Sequence, residues 1–354
     1  MIRELLMLAH RYIPDKYNVS GWYLSEKLDG TRCLWDGGLS RGIPTREVPW
    51  ASILHPKTHF EKAKIKPVAT GLWSRYGNPI NAPSWFLNLL PPMMLDGELW
   101  AGHGNFQLCR SIVAQDNPDE RWGDINFAVF STPHPDNFAF DGVIKNPQMY
   151  CVINADKIGA FIRRRNEELG GQFLRVQDGA TFEEELVCLR DALEGNQIYL
   201  HNQRKLPENP QKVIEEYLEK IIAAGGEGVV LRDPTSQWEP RRVRTLLKYK
   251  PLSDDEGTIV GFTAGKGKYL GMIGALILNY NGKRLELSGL TDEKRAFADK
   301  MMVEWAKNNP GEDTPYWVEG RHIKLKQVVT FKYRELSDDG IPKEARFSRN
   351  REEE

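Results

Sequence analysis

Residues 25–38 read SEKLDGTRCLWDGG, with a lysine, an aspartate, a glycine and an arginine close together. Lys27 follows a strand-like run, and Gly30 predicts a turn directly after it. A lysine becomes a nucleophile when burial or nearby cations lower its pKa, and Arg32 is one such cation. Asp29 can hold a cation or a ribose hydroxyl. This stretch alone also fits a charged turn on the surface. Whether Lys27 is a nucleophile therefore depends on what the rest of the chain contains.

Other charged fragments lie at the ends of strand-like runs. Each of them alone also fits a surface turn or an edge strand. Their joint occurrence in this order favours one composite site over unrelated surface features. The fragments are, in chain order, LDGEL at 95–99, EGVVLR at 227–232 and LLKYK at 246–250.

Bulk composition sets broad limits on the class of protein. The chain has 354 residues, of which 40% are hydrophobic and 27% charged, as in soluble globular proteins of one or two domains. No apolar run reaches 18 residues, and the N-terminus lacks the features of a signal peptide, so we expect a cytoplasmic protein. A net charge of -1 argues neither for nor against nucleic acid. The four cysteines form no CxxC pair and are expected to be reduced, mostly buried thiols.

The pattern of elements predicts an α+β domain followed by a small β-barrel. Helical spacing favours helices at 154–169, 182–193 and 210–224, among strands that include 22–26, 94–100, 125–130 and 228–232. In the last helix we expect Asn209 to cap, Pro210 to be the first residue and Gly225 to stop the helix.

The polar, turn-rich stretch at 251–257 predicts a hinge, and the pattern of predicted elements changes after it. Short alternating runs, a helix at 291–308 and a strand pattern at 321–335 are typical of an OB-type barrel. We therefore predict domains at 1–250 and 251–354.

The fragments resemble, in order, the motifs of the covalent nucleotidyltransferases, which are DNA ligases, RNA ligases and mRNA capping enzymes. The matching stretches are KLDGTR at 27–32, SRYG at 74–77, LDGEL at 95–99, AVFS at 128–131, EGVVLR at 227–232 and LLKYK at 246–250.

Longer stretches are similar to the compact ATP-dependent DNA ligases of bacteria and phages. The similarity covers most of 1–133 and 225–351 and thins at about 38–72 and 134–200, which look like insertions. Because only 26 residues precede Lys27, we expect the large N-terminal DNA-binding domain of bigger ligases to be absent. The stretches are SEKLDGTRCLWDG, SRYGNPINAPSWF, LDGELWAGHGNFQ, GKGKYLGMIGALI and FKYRELSDDGIPKEARFSRNR.

The resemblance implies a catalytic centre for phosphoryl transfer. Lys27 would take AMP from ATP, pass it to the 5′-phosphate of a nick, and the 3′-hydroxyl would then seal the strand. Lys248 and Lys250, on one face of a strand, would neutralise the α-phosphate. Asp29 would orient the 3′-hydroxyl or a metal.

The resemblance also implies ligands for the nucleotide, the metal and the DNA. Glu227 would hold Mg²⁺, with Mn²⁺ as the alternative, and Glu98 would bind a ribose hydroxyl or assist the metal. Phe130 would stack on adenine, with Phe127 as a competitor, although Ser131 departs from the acid that commonly follows. Arg32 and Arg75 would grip the 5′-phosphate.

Two further assignments remain open between residues, and a third group of residues is expected to contact DNA. Arg41, in SRG at 40–42, is the alternative to Arg75. In the last motif, Arg349 and Arg351 would contact pyrophosphate, with Arg346 and an exposed basic tail as the alternatives. DNA phosphates would be gripped by two basic clusters, and Arg163 to Arg165 prompt the hypothesis of a clamp in the second insertion. The two clusters contain Arg241, Arg242, Lys266 and Lys268.

We therefore expect a monomeric DNA ligase whose partners are ATP and nicked duplex DNA, with no membrane association. A viral origin is as compatible with the sequence as a bacterial one. An RNA ligase and a capping guanylyltransferase are the nearest alternatives. A DNA-binding module with an inactive nucleotide site is the non-enzymatic alternative.

Overall fold

The structure, a computed structural model, describes residues 2–3, 5–51, 68–146, 149–193, 195–314, 320–333, 335–337 and 339–351. Residues 52–67, within the first predicted insertion at 38–72, therefore lie outside the described residues. The chain divides into two compact units, Met1–Tyr249 and Lys250–Glu354.

Seven helices and twenty strands are assigned among the described residues. The helices α1–α7 span Ser84–Leu87, Phe106–Val113, Pro135–Phe138, Ala155–Glu168, Phe182–Ala192, Gln211–Ala223 and Lys300–Asn308. The strands β1–β20 span Ile2–Arg3, Leu8–Arg11, Tyr23–Glu26, Thr31–Asp36, Leu72–Ser74, Met94–Trp100, Asn126–Ser131, Gly142–Asn146, Met149–Ile153, Ile198–Leu200, Arg204–Lys205, Val229–Arg232, Arg242–Tyr249, Ser253–Ala264, Ile273–Tyr280, Lys283–Leu287, Val328–Tyr333, Glu335–Leu336, Pro342–Lys343 and Arg346–Asn350.

Two five-stranded sheets form the centre of the first unit. One has the order β10-β7-β6-β4-β5 and the other β11-β3-β12-β13-β2, and most of their strand pairs are antiparallel. Strands β3 and β4 are consecutive in the chain but belong to different sheets. The connection at 27–30, which carries the predicted nucleophile, therefore crosses from one sheet to the other.

Helix α6 covers the second of these sheets. Ile214, Leu218 and Ile221 are buried against apolar residues of the sheet, such as Leu231. These residues, spaced three and four apart, lie on one side of the helix, which is its buried face. Ile222, the next residue in the chain, is 39% exposed.

The second unit is a small barrel built on the sheet β16-β15-β14-β17-β20. Strand β14 is long and pairs with β15 and β17, and register shifts in its pairing with β15 bend the sheet. A parallel bridge between Ser288 and Arg346 brings the end of β16 to β20 and closes the curve. With α7 between β16 and β17, this is an OB-type barrel, and the predicted α+β class with a terminal OB domain is confirmed.

Four local predictions are corrected by the structure. The 251–257 hinge is mostly strand, because β14 starts at Ser253 and pairs along β17. The 291–308 helix is confined to α7, since buried Phe297 forms an extended bridge with Gly320. Pro210, rather than Asn209, is the N-cap residue of α6 and makes no side-chain cap. The 321–335 strand begins only at Val328.

Candidate active site

A cavity of about 250 Å³ opens between the two central sheets of the first unit. One wall comes from β3, β12 and β13, and the other from β4, β6 and β7. Residues of most of the sequence fragments therefore converge on one space, as the composite-site interpretation requires. The described lining residues are Met7, Leu8, Ala9, Ser25, Glu26, Lys27, Leu28, Arg32, Arg75, Asp96, Glu98, Phe130, Phe182, His201, Gln203, Val230, Arg232, Arg242, Leu246 and Lys248.

Lys27 lies at the cavity wall and contacts the carboxylate of Glu227. Its Nζ donates to Oε2 of Glu227, and the two side chains are only 25% and 13% exposed. The backbone N–H of Lys27 donates to the carbonyl of Gly228 at 2.9 Å, so the two loops are also joined through their main chains. The lysine and the predicted metal ligand are thus neighbours in space, although 200 positions separate them.

Two glycines of the motifs are fixed by close packing of the backbone. A Cβ on Gly30 would lie 2.2 Å from the carbonyl oxygen of Leu99, and one on Gly97 would lie 2.5 Å from that of Ala128. Both distances are far below any real contact, so neither position tolerates a side chain. At Gly30 the close approach is to the backbone of β6.

Arg32 is held by a bidentate ion pair with Asp96. Its Nε and Nη2 donate to the two carboxylate oxygens at 2.7 and 2.9 Å, and its guanidinium lies 4.4 Å from the centre of the Phe130 ring. Asp96 is fully buried and also accepts from the indole N–H of Trp238 at 2.8 Å. Asp96 therefore positions Arg32 at the cavity, a role that the DGE fragment alone did not indicate.

Glu98 lies across the strand pair from Arg32, on the same face of the sheet. Burial raises the pKa of Glu98 to about 7, against the opposing effects of Arg32 and Lys27. A carboxyl group in this setting gains by accepting a hydrogen bond from a hydroxyl or by ligating a cation. Both roles that the sequence left open for Glu98 fit its surroundings.

The structure separates the competing aromatic candidates. Phe130 lines the cavity at a bulge where β7 pairs irregularly with β6, whereas Phe127 is fully buried in the core. A bulge redirects a side chain that regular pairing would place on the other face. Of these two candidates, Phe130 is the one placed to contact a ligand in this cavity.

The two arginine candidates of the second motif also lie apart. Arg75 lines the cavity and stacks on Tyr76, with its guanidinium 4.5 Å from the ring centre. Arg41 lines a separate pocket beside Gly38 and donates to Asn88 at 2.9 Å. The geometry favours Arg75.

Lys248 lines the cavity from β13, where it pairs in register with Val230 of β12. Lys250 follows the end of that strand and belongs to the second compact unit. Asp29 lies on the turn between β3 and β4 but is not among the lining residues.

A buried polar network that the sequence did not predict lies beside Phe130. Ser131 and Thr132 both donate to Glu185 of α5, and Arg232 contacts the same carboxylate at 3.4 Å. Arg232 also donates to Ser131 Oγ at 2.9 Å, and its guanidinium lies 4.0 Å from the centre of the Phe182 ring. Glu185, from the 134–200 insertion, therefore contacts Ser131, which stands where the motif commonly has an acidic residue. Nothing local in the sequence links the two positions.

The predicted DNA contacts are distributed over both units. In the first, Arg242 lines the cavity and donates to the carbonyl of Ala9, while Arg241 pairs with Glu239 on the surface. In the second, Lys266 and Lys268 are exposed around a short 3₁₀ helix. Arg349 and Arg351 line an open basic pocket on β20, together with Lys294.

Glu98 and Glu227 are not part of any cluster of three metal-ligating side chains in the described chain. The one such cluster there is His134 with Asp136 and Asp178, whose aspartates are exposed. Two carboxylates alone suit Mg²⁺, which keeps several waters and binds substrate phosphates in its remaining positions. No helix among the described residues is long and apolar enough to cross a membrane.

Comparisons with known proteins match both the barrel of the second unit and the fold of the whole chain. Residues 264–351 match the family model of the DNA ligase OB-like domain. A solved Lig E DNA ligase superposes with a TM-score of 0.59, at 24% identity over 98% of both chains. A structure named Pmar-Lig_Pre superposes with a TM-score of 0.59, at 18% identity over 99% of this chain and 68% of its own.

Curated relatives point to the same kind of protein. The DNA ligase of Haemophilus influenzae is 22% identical over 347 residues, which cover 98% of this chain and 92% of the relative. The DNA ligase of Methanothrix thermoacetophila is 32% identical over 101 residues, covering 26% of this chain and 18% of the relative. The resemblance to the compact DNA ligases that the motifs indicate is confirmed.

Proposed function

We propose that this protein is an ATP-dependent DNA ligase that seals nicks in duplex DNA through a lysyl-AMP intermediate. The observation that carries the proposal is the convergence of Lys27, Glu98 and Lys248 at one cavity between two sheets, with Glu227 in contact with Lys27. The first unit would be the adenylation domain and the second the OB domain.

In the first step, Lys27 attacks the α-phosphorus of ATP as a neutral amine. A P–N bond forms, the bond to pyrophosphate breaks, and the amine loses a proton. The ion pair with Glu227 must open for this attack, which leaves the carboxylate available for a divalent cation. Mg²⁺ or Mn²⁺ held by Glu227 and Glu98 would neutralise phosphate charge.

The other cavity residues position the nucleotide. Lys248, on the opposite wall from Glu98, would neutralise the α-phosphate, and Lys250 would assist it from the following turn. Phe130 presents its ring to the cavity and would stack on adenine. Arg349 and Arg351 of the OB domain would contact the pyrophosphate.

In the second and third steps, AMP moves to the 5′-phosphate of the nick, and the 3′-hydroxyl displaces it. Arg75 would hold the 5′-phosphate in the bidentate geometry of a guanidinium. Arg32, whose Nε and Nη2 already pair with Asp96, would contact the phosphate through Nη1. Asp96 already fixes the orientation of Arg32. Asp29 would orient the 3′-hydroxyl, and contacts from Arg241, Arg242, Lys266 and Lys268 would grip DNA phosphates irrespective of sequence. We further propose a monomer that acts in the cytoplasm.

The test is sealing of a nicked DNA duplex beside a nicked RNA duplex, with ATP or GTP and with Mg²⁺ or Mn²⁺. Sealing of DNA with ATP supports the proposal. Sealing of RNA alone would identify an RNA ligase, and labelling by GTP alone would identify a capping-type enzyme.

A further inference from the structure

His201 enters the cavity between the strand that precedes Lys27 and the strand that carries Phe130. Its backbone N–H donates to the carbonyl of Val129 at 2.7 Å, directly beside Phe130. Its ring Nε2 lies 2.9 Å from the backbone carbonyl oxygen of Glu26, directly before Lys27. The histidine lines the cavity and is only 7% exposed. No fragment of the sequence analysis pointed to it.

The contact with Glu26 fixes the tautomer of this ring. A carbonyl oxygen can only accept a hydrogen bond, so Nε2 must carry the hydrogen. Burial lowers the pKa of His201, and the cavity already holds more cationic than acidic side chains. A neutral ring with its hydrogen on Nε2 has a lone pair and no hydrogen at Nδ1. Within the described part of the chain, Nδ1 has no hydrogen-bond partner.

A base in this cavity must present an edge to His201. The base of the nucleotide would stack on Phe130, and the α-phosphate would lie at Lys27. The ring of His201 therefore lies between the base site and the phosphate site. Adenine carries a 6-amino donor on its edge, whereas guanine and hypoxanthine carry an oxygen acceptor at the same position. Nδ1 of His201 can accept a hydrogen bond from the 6-amino group of adenine. It would repel the oxygen at the same position of a 6-oxopurine.

We infer that His201 recognises the 6-amino group of adenine through Nδ1 and so selects ATP over 6-oxopurine nucleotides. This inference rests on the proposed function, because it assumes that Lys27 is nucleotidylated in this cavity. Gln203 lines the same cavity and is the competing reader of the base.

The experiment measures the second-order rate constant for labelling of Lys27 by three triphosphates. They are ATP, purine riboside triphosphate, which lacks the 6-amino group, and inosine triphosphate, which has oxygen there. Wild type should prefer ATP to purine riboside triphosphate by about 10-fold, equal to about 1.4 kcal/mol for one neutral hydrogen bond. Its preference over inosine triphosphate should be about 100-fold, because two acceptors then face each other.

Two variants remove the acceptor in different ways. His201→Phe removes both ring nitrogens, whereas His201→Gln keeps an amide donor for the Glu26 carbonyl and vacates the Nδ1 position. In both, the preference for ATP over purine riboside triphosphate should fall to about 1. Because the preference is a ratio measured on one preparation, partial unfolding of a variant cancels. Gln203→Ala should keep the wild-type preference.

The inference is overturned if both histidine variants retain the preference, if wild type shows none, or if Gln203→Ala alone abolishes it. In each of those results ATP still labels Lys27, so the proposed function survives. Absence of any label on wild type would overturn both.

Discussion

The ion pair between Glu185 and Arg232 allows a quantitative test of how the insertion helix α5 supports the cavity wall. The two side chains are only 2% and 6% exposed, and Glu185 also accepts from Ser131 and Thr132. Burial raises the pKa of Glu185 and lowers that of Arg232, and in each case this effect exceeds their mutual attraction. Each charge is therefore costly without the other.

Glu185→Gln keeps the shape of the side chain but leaves the Arg232 charge buried without its counter-ion. Breaking a buried pair in this way costs about 3–5 kcal/mol of unfolding free energy. Arg232 Nε already lacks a hydrogen-bond partner among the described residues. Replacing both members by apolar residues of similar size, Glu185→Leu with Arg232→Met, should cost far less than the sum of the single changes.

Urea unfolding followed by circular dichroism gives these free energies. Glu183→Gln is the matched control, because Glu183 lies on the same helix and its ion pair with Lys205 is exposed; its cost should stay below about 1 kcal/mol. If Glu185→Gln costs no more than this control, or if the double change is simply additive, the network does not stabilise the fold as we describe.

Three further changes test other parts of the account. Burial raises the pKa of Asp36 to about 6 from 3.8, so its contribution to stability is greatest below about pH 4 and falls by about 3 kcal/mol as the pH rises through 6; Asp36→Asn should remove this pH dependence in urea titrations, and an unchanged profile would contradict the assignment. Lys266→Gln with Lys268→Gln should weaken binding to nicked DNA of any sequence and reduce the slope of log affinity against log salt by about 2; an unchanged slope would remove both lysines from the interface. Lys248→Gln should slow labelling of Lys27 by about 100-fold or more while the melting temperature stays within a few degrees, since it removes a charge that acts on the transition state; a wild-type rate would show that Lys248 does not act on the phosphate.

Local patterns predicted the regular elements well. The helical spacing of apolar residues at 210–224 located α6, because that periodicity reflects which face is buried. The turn signals that bound 94–100 located β6. The prediction of a hinge at 251–257 was wrong because it depended on local turn preferences alone. Its residues favour turns locally, but a long ladder with β17 outweighs that preference.

The residues of the candidate site also divide into those that local patterns predicted and those that they did not. The fragments around Lys27, Glu227 and Lys248 were visible because each combines unusual residue types at the end of a strand. Glu185 and His201 were not, since their roles depend on which loops the fold brings beside Phe130. Such contacts between distant segments leave no mark in local spacing.

The most direct measurement of the central claim is mass spectrometry of the intact protein and its peptides after incubation with ATP and Mg²⁺. The account predicts the mass of one added adenylyl group, located on Lys27 and absent from Lys27→Arg. An unmodified wild-type protein, or an adenylyl group that persists in Lys27→Arg, would contradict it.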